Sequence, residues 1–246
     1  MAKAETVKKS KKQKNLLWIF FITLMSIASV ILLVVALSGV GKEMLVKSEI
    51  TKHLKNRYGE DFIVGDVKLN GVGLGVKGIW QGKAHPVNNK DLTFYISKSD
   101  STGKITDSYV STVWSNIETM RSASGVRKII PSAKLIKVRV GVDSDFSSIL
   151  QNPLEMYSVV RERNQDKLAY TLVVITDGNT NNVADKLFKS IRYLNASGLQ
   201  KIDLLYAEQS GGRKMYGRSC STDALSSIED INKCISDKVV IDQEDI

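Results

Sequence analysis

The sequence predicts an α+β protein, with an N-terminal single transmembrane helix followed by two small extracytoplasmic helix/sheet modules. Three observations predict it. Leu16 to Leu37 (LLWIFFITLMSIASVILLVVAL) lies in a stretch with no charge between Lys14 and Lys42. At about 1.5 Å of rise per residue, a helix of that length covers the ~30 Å hydrocarbon core of a bilayer. From Asp61 to Asp100 the apolar residues change to a period of two between Gly, Asn and Pro punctuation, the pattern of a small antiparallel sheet. Beyond Pro131, strand-like apolar runs alternate with amphipathic stretches. The expected divisions are a cytoplasmic lysine-rich tail (1–15), the transmembrane helix (16–38), a first α+β module (42–125) and a second α/β module (132–246).

The flanks of the apolar run set an orientation. The 246 residues carry a formal net charge of +9. Lys3, Lys8, Lys9, Lys11, Lys12 and Lys14, against Glu5 alone, concentrate more than half of it before the run ends. A short lysine-rich tail beside a hydrophobic span marks the cytoplasmic end and favours anionic lipid. No basic-aromatic stripe follows, so no nucleic-acid partner is expected. The competing reading is a cleaved signal peptide, since Ala36-Leu37-Ser38 before Gly39 satisfies the small-residue rule; signal-peptide cores, however, run to only about 7–15 apolar residues. With 43% hydrophobic residues, 25% charged and three prolines, the remainder has the composition of globular protein.

After the run, Lys42 to Tyr58 places Met44, Leu45, Ile50, Leu54 and Tyr58 near helical spacing, and Gly59 closes the helix. DFIVGDVKLNGV, VKGIWQGKAHPV and LTFYISKSD are the strand-like segments. The glycines of GVGLGVKG (71–78) lack a dinucleotide fingerprint and read as turns and a bulge. Asp107 to Ser122 returns to helical spacing through Tyr109, Val113, Trp114, Ile117 and Met120, a face expected to lie on that sheet. The runs Tyr58-Gly59-Glu60-Asp61-Phe62, Asp91-Leu92-Thr93-Phe94 and Ile105-Thr106-Asp107-Ser108-Tyr109, with Trp114, resemble uncharacterised membrane-anchored extracytoplasmic α+β proteins of low-GC Gram-positive bacteria over about residues 43–120. The resemblance implies a helix-sheet-helix module outside the membrane and carries no active-site residues.

SASGVRKIIPS (122–132) reads as a seam between modules. KLIKVRVGV (134–142) is a strand, Ser147 to Asp166 a polar helix, and AYTLVVITDG (169–178) a strand apolar enough for a central position. Asn181 to Leu199 is an amphipathic helix with Val183, Leu187, Phe188, Ile191 and Leu194 on one side, and KIDLLYAEQ (201–209) a further strand. LTFYISKSD–helix–KLIKVRVGV and AYTLVVITDG–helix–KIDLLYAEQ echo one another, each with an acidic residue, Asp100 or Asp177, at the first strand's end. GGRKMYGR (211–218) reads as a basic solvated loop, and 237–246 as an acidic surface tail.

No catalytic or cofactor-binding residue is assigned. Asp177 in Val-Ile-Thr-Asp-Gly, at the end of a central strand, resembles the Thr-Asp-Gly of von Willebrand factor A domains. The upstream Asp143-Ser144-Asp145-Phe146-Ser147-Ser148 does not supply that family's Asp-x-Ser-x-Ser. An oxygen-rich divalent-metal site from Asp143, Asp145 and Asp177 is the alternative to Asp and Gly in ordinary turn roles. A Gly-x-Ser-x-Gly elbow is absent, and His53 and His85 read as surface histidines. Cys220 and Cys234 fall on the oxidising side. One unbroken helix over Thr222 to Ile235 would hold their Cα atoms about 20 Å apart, beyond disulfide reach. A helix started late by Ser226-Ser227-Ile228-Glu229 would let Cys220 fold back. Both arrangements remain open. The expected function is binding or scaffolding at the cell envelope, with an envelope protein or wall polymer as partner besides the bilayer. The alternative is a cell-envelope hydrolase or divalent-metal-dependent enzyme centred on Asp177.

Overall fold

A computed structural model of the chain describes all residues except 1, 72, 74–76, 144–145, 147–149, 151–152, 179, 210–214, 223–224, 237–238 and 242–246. Of 2–17, 19, 32–33, 35–40, 154–155 and 241 the backbone alone is described. Helix α1 (Ala2–Tyr58) leads into strands β1 (Phe62–Val64), β2 (Lys68–Asn70), β3 (Ile79–Pro86), β4 (Phe94–Ser99) and β5 (Ile105–Asp107). Then come helix α2 (Tyr109–Ile129), β6 (Ala133–Val142), α3 (Pro153–Arg163), β7 (Leu168–Thr176), α4 (Val183–Ala196), β8 (Ile202–Gln209), β9 (Met215–Cys220), α5 (Ile228–Ser236) and β10 (Val239–Ile241). The architecture is mixed α+β with two sheets.

Helix α1 has two halves of different character. In the N-terminal half every described large apolar side chain, from Trp18 at 71% to Leu24 at 54%, is more than half exposed. Among the described residues no helix is long and apolar enough to cross a membrane; within 16–37 the side chains described are those of 18, 20–31 and 34. The C-terminal half buries Val46, Ile50 and Leu54, residues four apart that form one stripe. Met44 and Leu45, expected on that face, are exposed instead.

The first sheet has the order β1-β3-β4-β5, with β2 also on β3, all antiparallel. β1 and β2 pair along one edge of β3 in registers that differ by one residue, a bulge at 65–67. Gly82 makes the bulge possible, because a Cβ there would lie 2.8 Å from the Asp66 carbonyl oxygen. The second sheet runs β10-β9-β8-β7-β6, with β7 and β8 parallel across the α4 crossover and the other pairs antiparallel. Leu172, Val173 and Val174 are fully buried in the interior strand β7.

Helix α2 packs chiefly along β6, not on the first sheet. It also runs through the expected seam as far as Ile129. Gly125 permits this, since a Cβ would meet the Tyr193 ring of α4 at 2.2 Å. α2 closes an open sheet edge. Ser115 Oγ accepts from Val140 N–H (2.8 Å) and Thr119 Oγ1 from Val138 N–H (2.9 Å), satisfying backbone groups that would otherwise invite another strand. The internal echo has no structural counterpart, because β4 and β6 lie in different sheets whereas β7 and β8 are neighbours. Of the expected basic loop, 215–218 belongs to β9 and 211–214 lies outside the described residues.

Helix α5 starts at Ile228, with Ser227 Oγ accepting from Asp230 N–H (3.1 Å) as an N-cap. Residues 225–227 just before it are not helical, and Cys220 at the end of β9 lies 6.1 Å (Cα–Cα) from Cys234, with which it forms a disulfide. Most buried apolar side chains from Val46 to Ile235 belong to one continuous core, and Ile175, Ala207 and Met215 form a second, smaller cluster.

Candidate functional site

A groove built from both sheets offers an extended concave surface. Strand alternation makes its first lobe. Trp80, Ala84, Phe94 and Ile96 point inward, which leaves Gln81, Lys83, Tyr95 and Ser97 on the outer face of the first sheet. Lys68 and Asn70 of β2 and Thr106 of β5 extend that face, enclosing about 980 Å³ over a floor of Gly65, Asp66 and Gly82. Asn70 Nδ2 donates to Gln81 Oε1 (2.8 Å), and Ser97 and Thr106 share a hydroxyl bond of 2.7 Å.

The second lobe, of about 1050 Å³, lies between this sheet, α2 and β6. Ser111, Thr112, Ser115, Asn116 and Thr119 follow helical spacing and form a polar stripe along α2. On β6, Ile136, Val138 and Val140 are buried, so Lys137 and Arg139 take the opposite face and reach the cleft. Lys83, Tyr95 and Ser108 line both lobes. There Ser108 Oγ accepts from Tyr95 N–H (3.0 Å), fixing the start of α2 to β4, and Lys83 Nζ sits 5.0 Å above the Tyr95 ring.

The electrostatics are asymmetric. Two of the three lining carboxylates are engaged: Asp66 pairs with Lys47 (3.1 Å), and the fully buried Asp107 carboxylate accepts from Arg57 (2.9 Å) and Tyr58 (2.8 Å). Asp91 is the third. Among the described residues Lys68, Lys83 and Lys137 form no ion pair. Burial, and then the charge of Arg139, lowers the pKa of Lys137 below the ordinary lysine value.

Two buried clusters hold the groove's walls. Asp107 ties the end of α1 to the start of α2, and close by the Nε2 of His53 is buried with no hydrogen-bond partner among the described residues. Burial lowers the His53 pKa, and Arg57 lowers it further against the opposing effect of Asp107. Behind α2, Glu118 is 1% exposed and accepts from Tyr157 Oη (2.7 Å). Arg161 Nε stands 3.3 Å from the same carboxylate, off good hydrogen-bond geometry. Burial and the bond to Glu118 push the Tyr157 pKa far up.

The acidic residues singled out from sequence are not gathered. Because β6 and β7 are antiparallel, with Val142 opposite Leu168 and Ala133 opposite Thr176, Asp143 and Asp177 lie beyond opposite ends of the pair. Some nine strand residues put about 30 Å between them. Asp143 accepts from Phe146 N–H (3.2 Å), Asp177 pairs with Lys134, and Asp145 lies outside the described residues. No metal-competent group of three His, Cys, Asp or Glu occurs among the described residues. His53 is half-buried, and His85 holds its Nδ1 2.9 Å from the Pro86 carbonyl. Sequence reasoning took α2 by its apolar face alone and passed over the groove. The signal was present in the hydroxyl and amide residues at helical spacing from Ser108 to Thr119.

No protein-family model matches the chain. No curated protein matches it. Among solved structures, it is similar to a DUF5037 family protein from Ruminococcus gnavus ATCC 29149, at 14% identity and a TM-score of 0.43, over 67% of this chain and 75% of that one. A likeness of that size carries no functional argument.

Proposed function

We infer that the chain is a single-pass membrane protein. Its lysine-rich tail is cytoplasmic, and its folded portion acts outside the membrane as a binding or scaffolding unit of the cell envelope. One observation carries the reading: the residues of Leu16–Leu37 are apolar around the whole helix, and its described large apolar side chains, among them Trp18, Phe20, Phe21, Ile22, Leu24 and Met25, are each more than half exposed. A helix apolar all round needs an apolar surrounding, and lipid is the surrounding that remains. Its few hydroxyls are satisfied within the helix, as hydrocarbon requires: Thr23 donates to Phe20 O (3.0 Å), Ser26 to Thr23 O (2.8 Å) and Ser29 to Ser26 O (2.8 Å).

Three further features support the reading. Helix α1 runs unbroken through 36–40, where the competing cleavage site would be. It enters the core at Val46, about 14 Å along the axis from Leu37, so no flexible linker separates anchor from fold. The Cys220–Cys234 disulfide suits an oxidising compartment. The hydrolase alternative gains nothing from the placement of Asp143 and Asp177. Membrane fractionation tests the reading: the full chain is expected to stay in the pellet through an alkaline carbonate wash, and a chain lacking residues 1–41 to leave it. Release of the full chain by carbonate would refute the anchor.

A further inference from the structure

We propose that the groove binds a phosphodiester-linked polyol, a chain of glycerol phosphate or sugar phosphate units, with Lys68, Lys83, Lys137 and Arg139 meeting the phosphates. The proposal rests on the extracytoplasmic reading, since it requires a ligand reachable from the outer face. The shape suits a polymer more than a small molecule: two open lobes lie side by side and share Lys83, Tyr95 and Ser108 in their walls. The charge suits an anion, because Asp66 and Asp107 are already paired while the three lysines form no ion pair among the described residues.

The spacing suits a repeating anion. Lys137 and Arg139 are two residues apart on one face of β6, about 7 Å. Lys68 stands opposite Gln81, two residues from Lys83 on the same face, a diagonal of about 8 Å. Between these cationic pairs lie hydroxyls and amides such as Thr112 and Asn116, which match the oxygens of a short polyol unit. An acidic peptide fits less well. Protein partners are held chiefly by aromatic and aliphatic anchors. Among the described residues the large apolar side chains exposed in the groove are Tyr95 (59%) and Leu135 (37%).

The test uses the full chain in phosphatidylcholine nanodiscs. Binding of end-labelled poly(glycerol phosphate) is measured at two salt concentrations, and tethering to phosphatidylglycerol vesicles in parallel; poly-glutamate is the competing anion. Salt-sensitive binding is expected that K83Q/K137Q weakens about tenfold or more, and that K128Q/K189Q, with the same loss of charge on exposed helix surface, leaves within about twofold. Circular dichroism confirms that both variants fold. Binding by the soluble polymer supports the proposal, and binding by vesicles alone, which would assign lipid headgroups in place of a polymer, overturns it. Failure to bind either carrier, equal losses in both variants, or equally tight poly-glutamate would overturn the proposal. A chain retained in carbonate-washed membranes that ignores both carriers overturns the groove assignment alone. A chain that binds polymer but washes off membranes overturns the anchor alone.

Discussion

Glu118 shows how a single buried charge fixes the groove's geometry. Its carboxylate, 1% exposed, holds Tyr157 and Arg161 of α3 against the back of the helix whose front lines the second lobe. Removing one partner of a buried ionic cluster leaves the others unpaired, so Glu118→Ala is expected to cost about 3–5 kcal/mol in urea unfolding, and Glu118→Gln, which keeps an acceptor for Tyr157, clearly less. Equal losses would mean that packing, not charge, holds α2. His53 supplies a pH dependence. The folded chain keeps this imidazole neutral to lower pH than the unfolded chain, whose histidine titrates near 6.5. Below that value the unfolded state therefore binds more protons, and stability present above it is lost as pH falls through the folded pKa. The urea midpoint is expected to drop between pH 7 and 5, and His53→Asn to flatten that limb; identical pH profiles would remove His53 from the account. At this scale the sequence was half legible. Alternation along β3 and β4 puts Lys83 and Tyr95 outward once the buried face is known, but the sequence alone named only the strand-like segments. Glu118 resembles any helical surface charge until Tyr157, 39 residues on, packs over it.

Elements were more legible than their partners. β6, β7, α4 and β8 fall close to where periodicity put them, because each has a strong apolar pattern of its own. Helix α2 was readable as a helix but not by its neighbour, since its hydroxyl stripe, not its apolar face, meets the edge of β6. Strand direction was equally hidden: Asp177 does stand at a strand end, but the antiparallel register of β6 and β7 carries Asp143 to the far end. Helix α5 depended on its cap. With Ser227 starting it at Ile228, Cys220 comes within disulfide reach of Cys234, a closure spanning 14 residues. A loop of that size is worth about 3 kcal/mol through the unfolded chain, so C220S/C234S and the reduced wild-type chain are expected to lose that much and to match one another. Stability unchanged by reductant would show that the bond contributes nothing to the fold.

For the whole molecule, α1 is the organising feature. One helix carries the exposed apolar run, buries Val46, Ile50 and Leu54, and ends on Arg57 and Tyr58, which bind the buried Asp107 carboxylate behind the groove wall. The end of α1 and the groove are thus a few side chains apart; under the anchored reading proposed above, the groove would be held near the bilayer with little freedom to swing. The apolar run, its lysine flank and a helix following it almost without a linker were plain in the sequence; the tie of that helix to Asp107 was not, because it depends on contacts between residues about 50 apart. The most direct measurement is the side of the membrane on which the fold lies. Alkaline phosphatase and green fluorescent protein are fused in turn after Ile246 and expressed in a bacterial host. The account predicts active phosphatase and dark fluorescent protein, both in the membrane fraction. Bright fluorescent protein with inactive phosphatase would place the fold in the cytoplasm and contradict it.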